Sequence, residues 1–273
     1  MTHDPLPRHR YTLERAFEVA GRQGVATDGK TLWISGSTAL YRYALDGTLL
    51  QAHEHALDGL STPANHLGDI AFSEGRILAG AERFSDGIGH DIQVLAFDAA
   101  TLARTGVFPV APDSGQQEVS GVAVDEADRS VWLSSWVGGE SGRHLYQYDL
   151  DTGAYRRRVH LQPVPQWIQG VAAHGGALFV TADDGTADDG EADHLYRVDV
   201  RPDVTSAAVI LEHTFTEFAR LGEIEGLCFS PDGQRLFVHH NRGRQIVLGM
   251  PRGLYPGYDR EVHEVYIYRV HAR

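Results

Sequence analysis

Cysteine, basic charge and long apolar runs are all scarce in this chain of 273 residues, and each shortage removes a class of protein. Cys228 is the only cysteine. No intrachain disulfide can form, a thiolate-rich zinc site is excluded, and Cys228 reads as a small buried hydrophobe inside a strand. Lys and Arg total 24 against 37 Asp and Glu, a formal net charge of −13. Nucleic acid and anionic membranes reward dense positive charge, so neither is expected as a partner. The balance suits a soluble protein, a cationic ligand or a metal ion. No apolar run approaches the ~20 residues that cross a membrane. The opening MTHDPLPRHRYTLERAF has no apolar core, so no signal peptide is read there and the cytoplasm is the expected compartment. GxSxG, phosphate-loop, HExxH and dinucleotide fingerprints are missing too, so a covalent nucleophile has no support.

What the chain has is repetition. GVATDGKTLWISG (24–36), DIAFSEGRILAG (69–80), GVAVDEADRSVWLSS (121–135), GVAAHGGALFVTA (170–182) and GLCFSPDGQRLFVHH (226–240) share one pattern. Each is a short apolar strand, a Gly- or Asp-bearing turn and a second apolar strand. A third strand follows every time: ALYRYALDG, IQVLAFDAAT, HLYQYDLDTG, HLYRVDV and EVYIYRV. Fourth strands follow the first four units as TLLQAHEHA, TLARTGVF, AYRRRVHL and AAVILEHTF, while the fifth unit lacks one. The anchors Gly24, Asp69, Gly121, Gly170 and Gly226 lie 45, 52, 49 and 56 residues apart, a spacing of four-stranded propeller blades. The stretch YTLERAFEV (11–19) belongs to no unit, and pairing with the last one would remove an open edge. The expectation is all-β: one five-bladed β-propeller domain over 1–273, its last blade closed by the N-terminal strand.

FSPDGQRLFV, VDEADRSVWLSS and LYQYDLDTG resemble the YVTN/senescence-marker-protein/gluconolactonase group of propellers. The resemblance covers nearly the whole chain. It implies the propeller fold and, for activity, metal-dependent hydrolysis of a lactone or ester. GRQGV and GEIEGL also resemble the inner-strand motifs of propeller glutaminyl cyclases, which implies glutaminyl-cyclase-like chemistry as a second enzyme reading.

First strands of propeller blades line the central channel. Three residues before the anchors stand Gly21, His66, Glu118, Trp167 and Glu223; one before stand Gln23, Gly68, Ser120, Gln169 and Glu225. Positions two apart share a strand face, so both sets are expected to look into the channel. The residues after the anchors are Val25, Ile70, Val122, Val171 and Leu227, which suggests an apolar channel farther in. Converging carboxylates repel unless neutralised. A divalent cation held by His66, Glu118, Glu223, Glu225, Gln169 and Gln23 would do so. The oxygens favour Ca²⁺, and His66 favours Zn²⁺ or Mn²⁺. Arginines, waters or a retained proton are the alternative.

His66, Glu118, His239 and His240 are the candidate acid–base residues. Trp136 and Trp167, with Asp183, Asn241 and Arg242 from the ends of second strands, are candidates for contact with a small-molecule substrate. The acidic loop 181–194 reads as a solvated loop with calcium binding as the alternative, and 242–263 as a channel lid or an oligomer contact. A non-enzymatic propeller with a structural channel ion is the competing reading of the whole.

Overall fold

The computed structural model describes residues 6–185, 189–217, 221–247 and 250–273. After β1 (His9–Glu18), the chain builds four antiparallel meanders in turn. They are β2 (Val25–Thr27), β3 (Thr31–Ser35), β4 (Leu40–Ala44) and β5 (Leu49–His53); β6 (His66–Ser73), β7 (Arg76–Ser85), β8 (Ile88–Asp98) and β9 (Arg104–Pro109); β10 (Val122–Asp125), β11 (Ser130–Leu133), β12 (His144–Asp149) and β13 (Tyr155–Gln162); then β14 (Ile168–His174), β15 (Ala177–Ala182), β16 (His194–Val198) and β17 (Ser206–Thr214). The third and fourth merge into one eight-stranded sheet, because β13 and β17 pair in parallel over His160–Gln162. The chain ends with β18 (Leu221–Phe229), β19 (Arg235–Arg242), a ribbon of β20 (Arg244–Val247) and β21 (Met250–Leu254), and β22 (Val262–Ala272). Among the described residues the only helical turns are two short 3₁₀ segments.

The turns are written in aspartate. The side chain of Asp28 accepts the amides of Lys30 and Thr31, and Asp98 and Asp149 do the same for the residues two and three ahead of them. Such side-chain mimicry of a turn is why Asp-x-x punctuates the apolar runs, and it accounts for part of the acidic excess.

The last sheet has the order β1-β22-β19-β18, so the N-terminal strand completes it, as the unpaired YTLERAFEV suggested. Pairing runs from His9 opposite Ala272 to Glu18 opposite Glu264. Buried Glu212 on β17 fastens the same strand to the next sheet. It accepts the amides of Arg8 and His9 at 3.0 and 2.9 Å and the Tyr11 hydroxyl at 3.2 Å, beside a fully buried Arg197.

The first strands β2, β6, β10, β14 and β18 adjoin one another around an axis. Every junction has its own bond. Ser35 Oγ donates to Gly68 O (2.8 Å), Asp69 N to Ser120 O (2.7 Å) and Ser120 Oγ to Ile168 O (2.7 Å). Thr181 Oγ1 donates to Glu225 O (2.6 Å), and Gly226 N to Gln23 O (3.1 Å) closes the ring. The hydroxyls at the ends of the second strands, Ser35 and Thr181, are therefore stitches between sheets.

The expectation of an apolar inner channel is corrected by the backbone. Register shifts fall between Leu67 and Ile70, Ile168 and Gly170, and Ile224 and Leu227, while β2 and β10 begin only after their anchors. One extra residue moves the following side chains to the other face. Val25, Ile70, Val122, Val171 and Leu227 consequently enter five separate hydrophobic clusters between the sheets.

Their amides point the other way, toward Asp69. Its carboxylate accepts the N–H of Ile70 at 2.8 Å and of Val171 at 3.2 Å, and also those of Val25 and Val122. Burial pushes this carboxyl well up, and the four amides pull it back. A Cβ on Gly24 would meet Asp69 Oδ1 at 2.5 Å and one on Gly226 at 2.0 Å, so glycine at these anchors makes room for the carboxylate. Asp69→Ala should cost at least about 3 kcal/mol, since each orphaned buried donor costs roughly 1–3 kcal/mol. Asp69→Asn, which keeps one oxygen, should cost less; urea unfolding of both variants is the check.

Candidate functional site

Above Asp69 the axis opens into a chamber of about 170 Å³. Gln23, His66, Glu118, Ser120, Gln169, Glu223 and Glu225 line it, as their register before the anchors led one to expect, and Trp136 joins them from the end of a second strand. Arg22 and Phe84 complete the wall. Arg22 stands two residues before its anchor, where the other units carry the buried Leu67, Val119, Ile168 and Ile224. A lone cation in an apolar column was the signal for it.

The carboxylates are held in two groups. Glu223 accepts Gln169 Nε2 at 2.7 Å and lies 3.4 Å from the Arg22 guanidinium, which also reaches Glu261 at 3.2 Å. Glu225 accepts Asn241 Nδ2 at 2.7 Å. Burial works against the charge of Arg22, but Glu225, Glu223 and Glu261 outweigh it and its pKa is raised. The Glu225 carboxyl is pushed well up by burial and then by Glu223; Glu223 is pushed up by burial, with Arg22 opposing.

The second group is Glu118, Glu82 and His66. Glu118 takes the backbone N–H of Trp136, and its carboxyl is pushed well above the usual range by burial and by the neighbouring Glu82. Glu82 lies on β7 opposite His66, with no side-chain exposure. Its Oε2 accepts the N–H of Val119 at 3.0 Å, and its Oε1 faces His66 Nδ1 at 3.5 Å. Neither Oε1 nor Nδ1 has a hydrogen-bond partner, so the two face each other as a charge contact just beyond hydrogen-bond geometry. The imidazole is a quarter exposed. A buried carboxylate behind a solvent-reached imidazole is the arrangement that orients a general base.

Other expected residues lie elsewhere. His239 is fully buried, bonds Gly21 O through Nε2 at 2.9 Å, and is pushed down to about 3 by burial. His240 is fully buried edge-on to Phe215 and Tyr266. Neither histidine lines the chamber, because the end of β19 lies inside the packing of its sheet. Asn241 is a brace: besides Glu225 it binds Arg22 O and His263 Nδ1. Arg242 is taken by Glu264 through two contacts of 2.6 Å. Asp183 is half-buried and does not line the chamber, its N–H on Trp167 O and its carboxyl pushed well up by desolvation and by Asp193. Trp136 and Trp167 do lie together, with ring centroids 4.9 Å apart.

Among the described residues no group of three or more His, Cys, Asp or Glu side chains is placed to hold a metal ion. The donor set is divided between an Arg22-centred group and a His66-centred group and does not fit a divalent cation as it stands. In the loop 181–194, whose residues 186–188 lie outside the described ones, Asp184 binds His194 and Tyr196, and Asp193 binds Gly185 N. The stretch 242–263 forms the β20–β21 ribbon, with 248–249 outside the described residues.

No family model and no curated protein sequence matches the chain. Solved structures do. The PQQ-bound aldose sugar dehydrogenase of Streptomyces coelicolor aligns over 98% of this chain and 100% of its own, with a TM-score of 0.55 at 14% identity. XC5397, a gluconolactonase from Xanthomonas campestris, aligns over 98% and 95%, with a TM-score of 0.53 at 13% identity. The fold is a β-propeller, as in these two structures. At such identities the likeness speaks for fold, and the chemistry has to come from the chamber.

The acid–base balance gives a testable pH dependence. Asp193 is pushed up to about 7, mainly by burial. A carboxyl raised in this way contributes stability that is complete below its ordinary pKa and is lost as pH rises through about 7. Histidines pushed down by burial, such as His144, His174 and His213, act in the opposite sense below about pH 6.5. The melting temperature should therefore fall between pH 6.5 and 8.5, and Asp193→Asn should flatten that fall.

Proposed function

We propose that the chain is a single-domain, five-bladed propeller enzyme that hydrolyses a small lactone or ester in this chamber by acid–base catalysis. The eight-stranded sheet is read as two blades joined at their outer strands, and the closed ring of inter-sheet bonds supports that count. The observation that carries the chemistry is Glu82 set against His66 Nδ1 with Glu118 alongside. A volume of about 170 Å³ admits only a small molecule.

In this reading His66 takes a proton from water through the ring nitrogen not facing Glu82, and the oxygen attacks the carbonyl carbon. The protonated Glu118 carboxyl donates a hydrogen bond to the carbonyl oxygen as negative charge develops there and keeps its proton throughout. On collapse the C–O bond to the alcohol breaks. The alkoxide takes the proton from the imidazolium, leaving a hydroxy acid from a lactone, or an acid and an alcohol from an ester. Glu82 is a positioning residue, while Glu223, Glu225 and Arg22 keep the wall rigid. PQQ, a tricarboxylate, is ill suited to a chamber whose one arginine is already engaged by glutamates.

His66→Asn should lower kcat by about 10²–10⁴-fold. Glu82→Gln should lower kcat with KM nearly unchanged, and Glu82→Asp should restore part of it. A panel of δ-lactones and short esters serves as substrate. Uniform inactivity would overturn the hydrolase reading and favour a propeller that only binds. Because the donor set is divided, dialysis against EDTA and re-addition of Ca²⁺, Mn²⁺ or Zn²⁺ should leave rate and melting temperature unchanged. A metal requirement would overturn the metal-free mechanism and restore the cation that the sequence suggested.

A further inference from the structure

Trp136 belongs to two cavities. One is the catalytic chamber; the other is a neighbouring hollow of about 300 Å³. The second is walled by Trp136, Trp167, Val137, Val164 and Pro165, with Gly138 among its lining residues. The indoles meet at 34° between planes, forming a tilted aromatic corner. Two features keep that corner in place. The backbone N–H of Trp136 is held by the Glu118 carboxyl, and Trp167 adopts φ +55, a left-handed conformation that costs a bulky residue energy. Its carbonyl accepts the amide of Asp183 at 3.0 Å, which fixes it there. Trp136 Nε1 is buried with no partner in the chain, a donor left for an acceptor atom.

We infer that this hollow is a substrate subsite for an aromatic ring attached to the ester or lactone whose carbonyl sits in the chamber. Benzene fills a cavity of about 150 Å³, so the hollow holds a ring with a short linker. The inference rests on the hydrolase reading for the reacting group but not for the ring. It makes the preferred substrate an aryl-bearing ester rather than a bare sugar lactone.

Binding and turnover separate the two claims. Phenylacetamide, which carries the ring on an amide, should bind saturably by calorimetry to the native protein and to His66→Asn alike, whereas propionamide should not. Trp167→Ala should weaken phenylacetamide at least tenfold. Gly138→Leu is a second variant: Gly138 lines the hollow and an added Cβ there meets nothing within 4 Å, so a larger side chain is placed at its wall without forcing the backbone. It should weaken binding similarly and lower kcat/KM for phenyl acetate relative to ethyl acetate at least tenfold. Saturable binding without hydrolysis of any ester upholds the subsite and overturns the hydrolase reading. No saturable binding of phenylacetamide, or equal binding by native, Trp167→Ala and Gly138→Leu proteins, overturns the subsite.

Discussion

One carboxylate organises the axis of this propeller. Asp69 takes amides from strands of four different units, and the glycines beside it exist to let it in. A parallel ring of strands leaves inward N–H groups that no ladder can satisfy, and in a dry centre each is costly. A single buried acceptor answers four of them. The same register that aims those amides inward sends the adjoining Val, Ile and Leu side chains into the clefts between sheets, so the polar axis and the apolar cores are two consequences of one set of bulges.

The chamber above inherits its character from that arrangement. Carboxylates crowd the axis in a protein already rich in acid, and the molecule handles them in two ways. Glu223 and Glu225 are tied down by Arg22, Gln169 and Asn241. Glu118, beside Glu82 and without a cation of its own, holds a proton more tightly than a free carboxyl does. Burial raises Glu223 and Glu225 as well, so what sets Glu118 apart is its place beside Glu82 and His66 and not the direction of its shift. The aromatic corner of Trp136 and Trp167 adjoins the group that holds this proton, since the Trp136 amide is bound by Glu118.

Much of this was legible in the chain. Period-two alternation and the Asp-containing turns located the strands, and the unpaired N-terminal stretch found its place beside β22. Counting back from the anchors brings seven chamber residues together, Ser120 among them. The same counting failed one step beyond the anchors, because a bulge cannot be seen in the alternation of Val25, Ile70, Val122, Val171 and Leu227. Asp69 was visible as the one carboxylate in a column of glycines, yet its meaning required knowing that amides converge there. Glu82 and the burial of His239 and His240 depend on which face β7 and β19 turn there, which residue type alone does not encode.

The central claim is that Glu118 keeps a proton at neutral pH in a chamber that balances its own charge. Carbon-13 NMR of protein labelled at the glutamate side-chain carboxyls tests it most directly. At pH 7 a protonated glutamate signal that is lost specifically in Glu118→Gln should be present, and it should be unchanged by EDTA. A spectrum in which every glutamate is ionised at pH 7 would contradict the account.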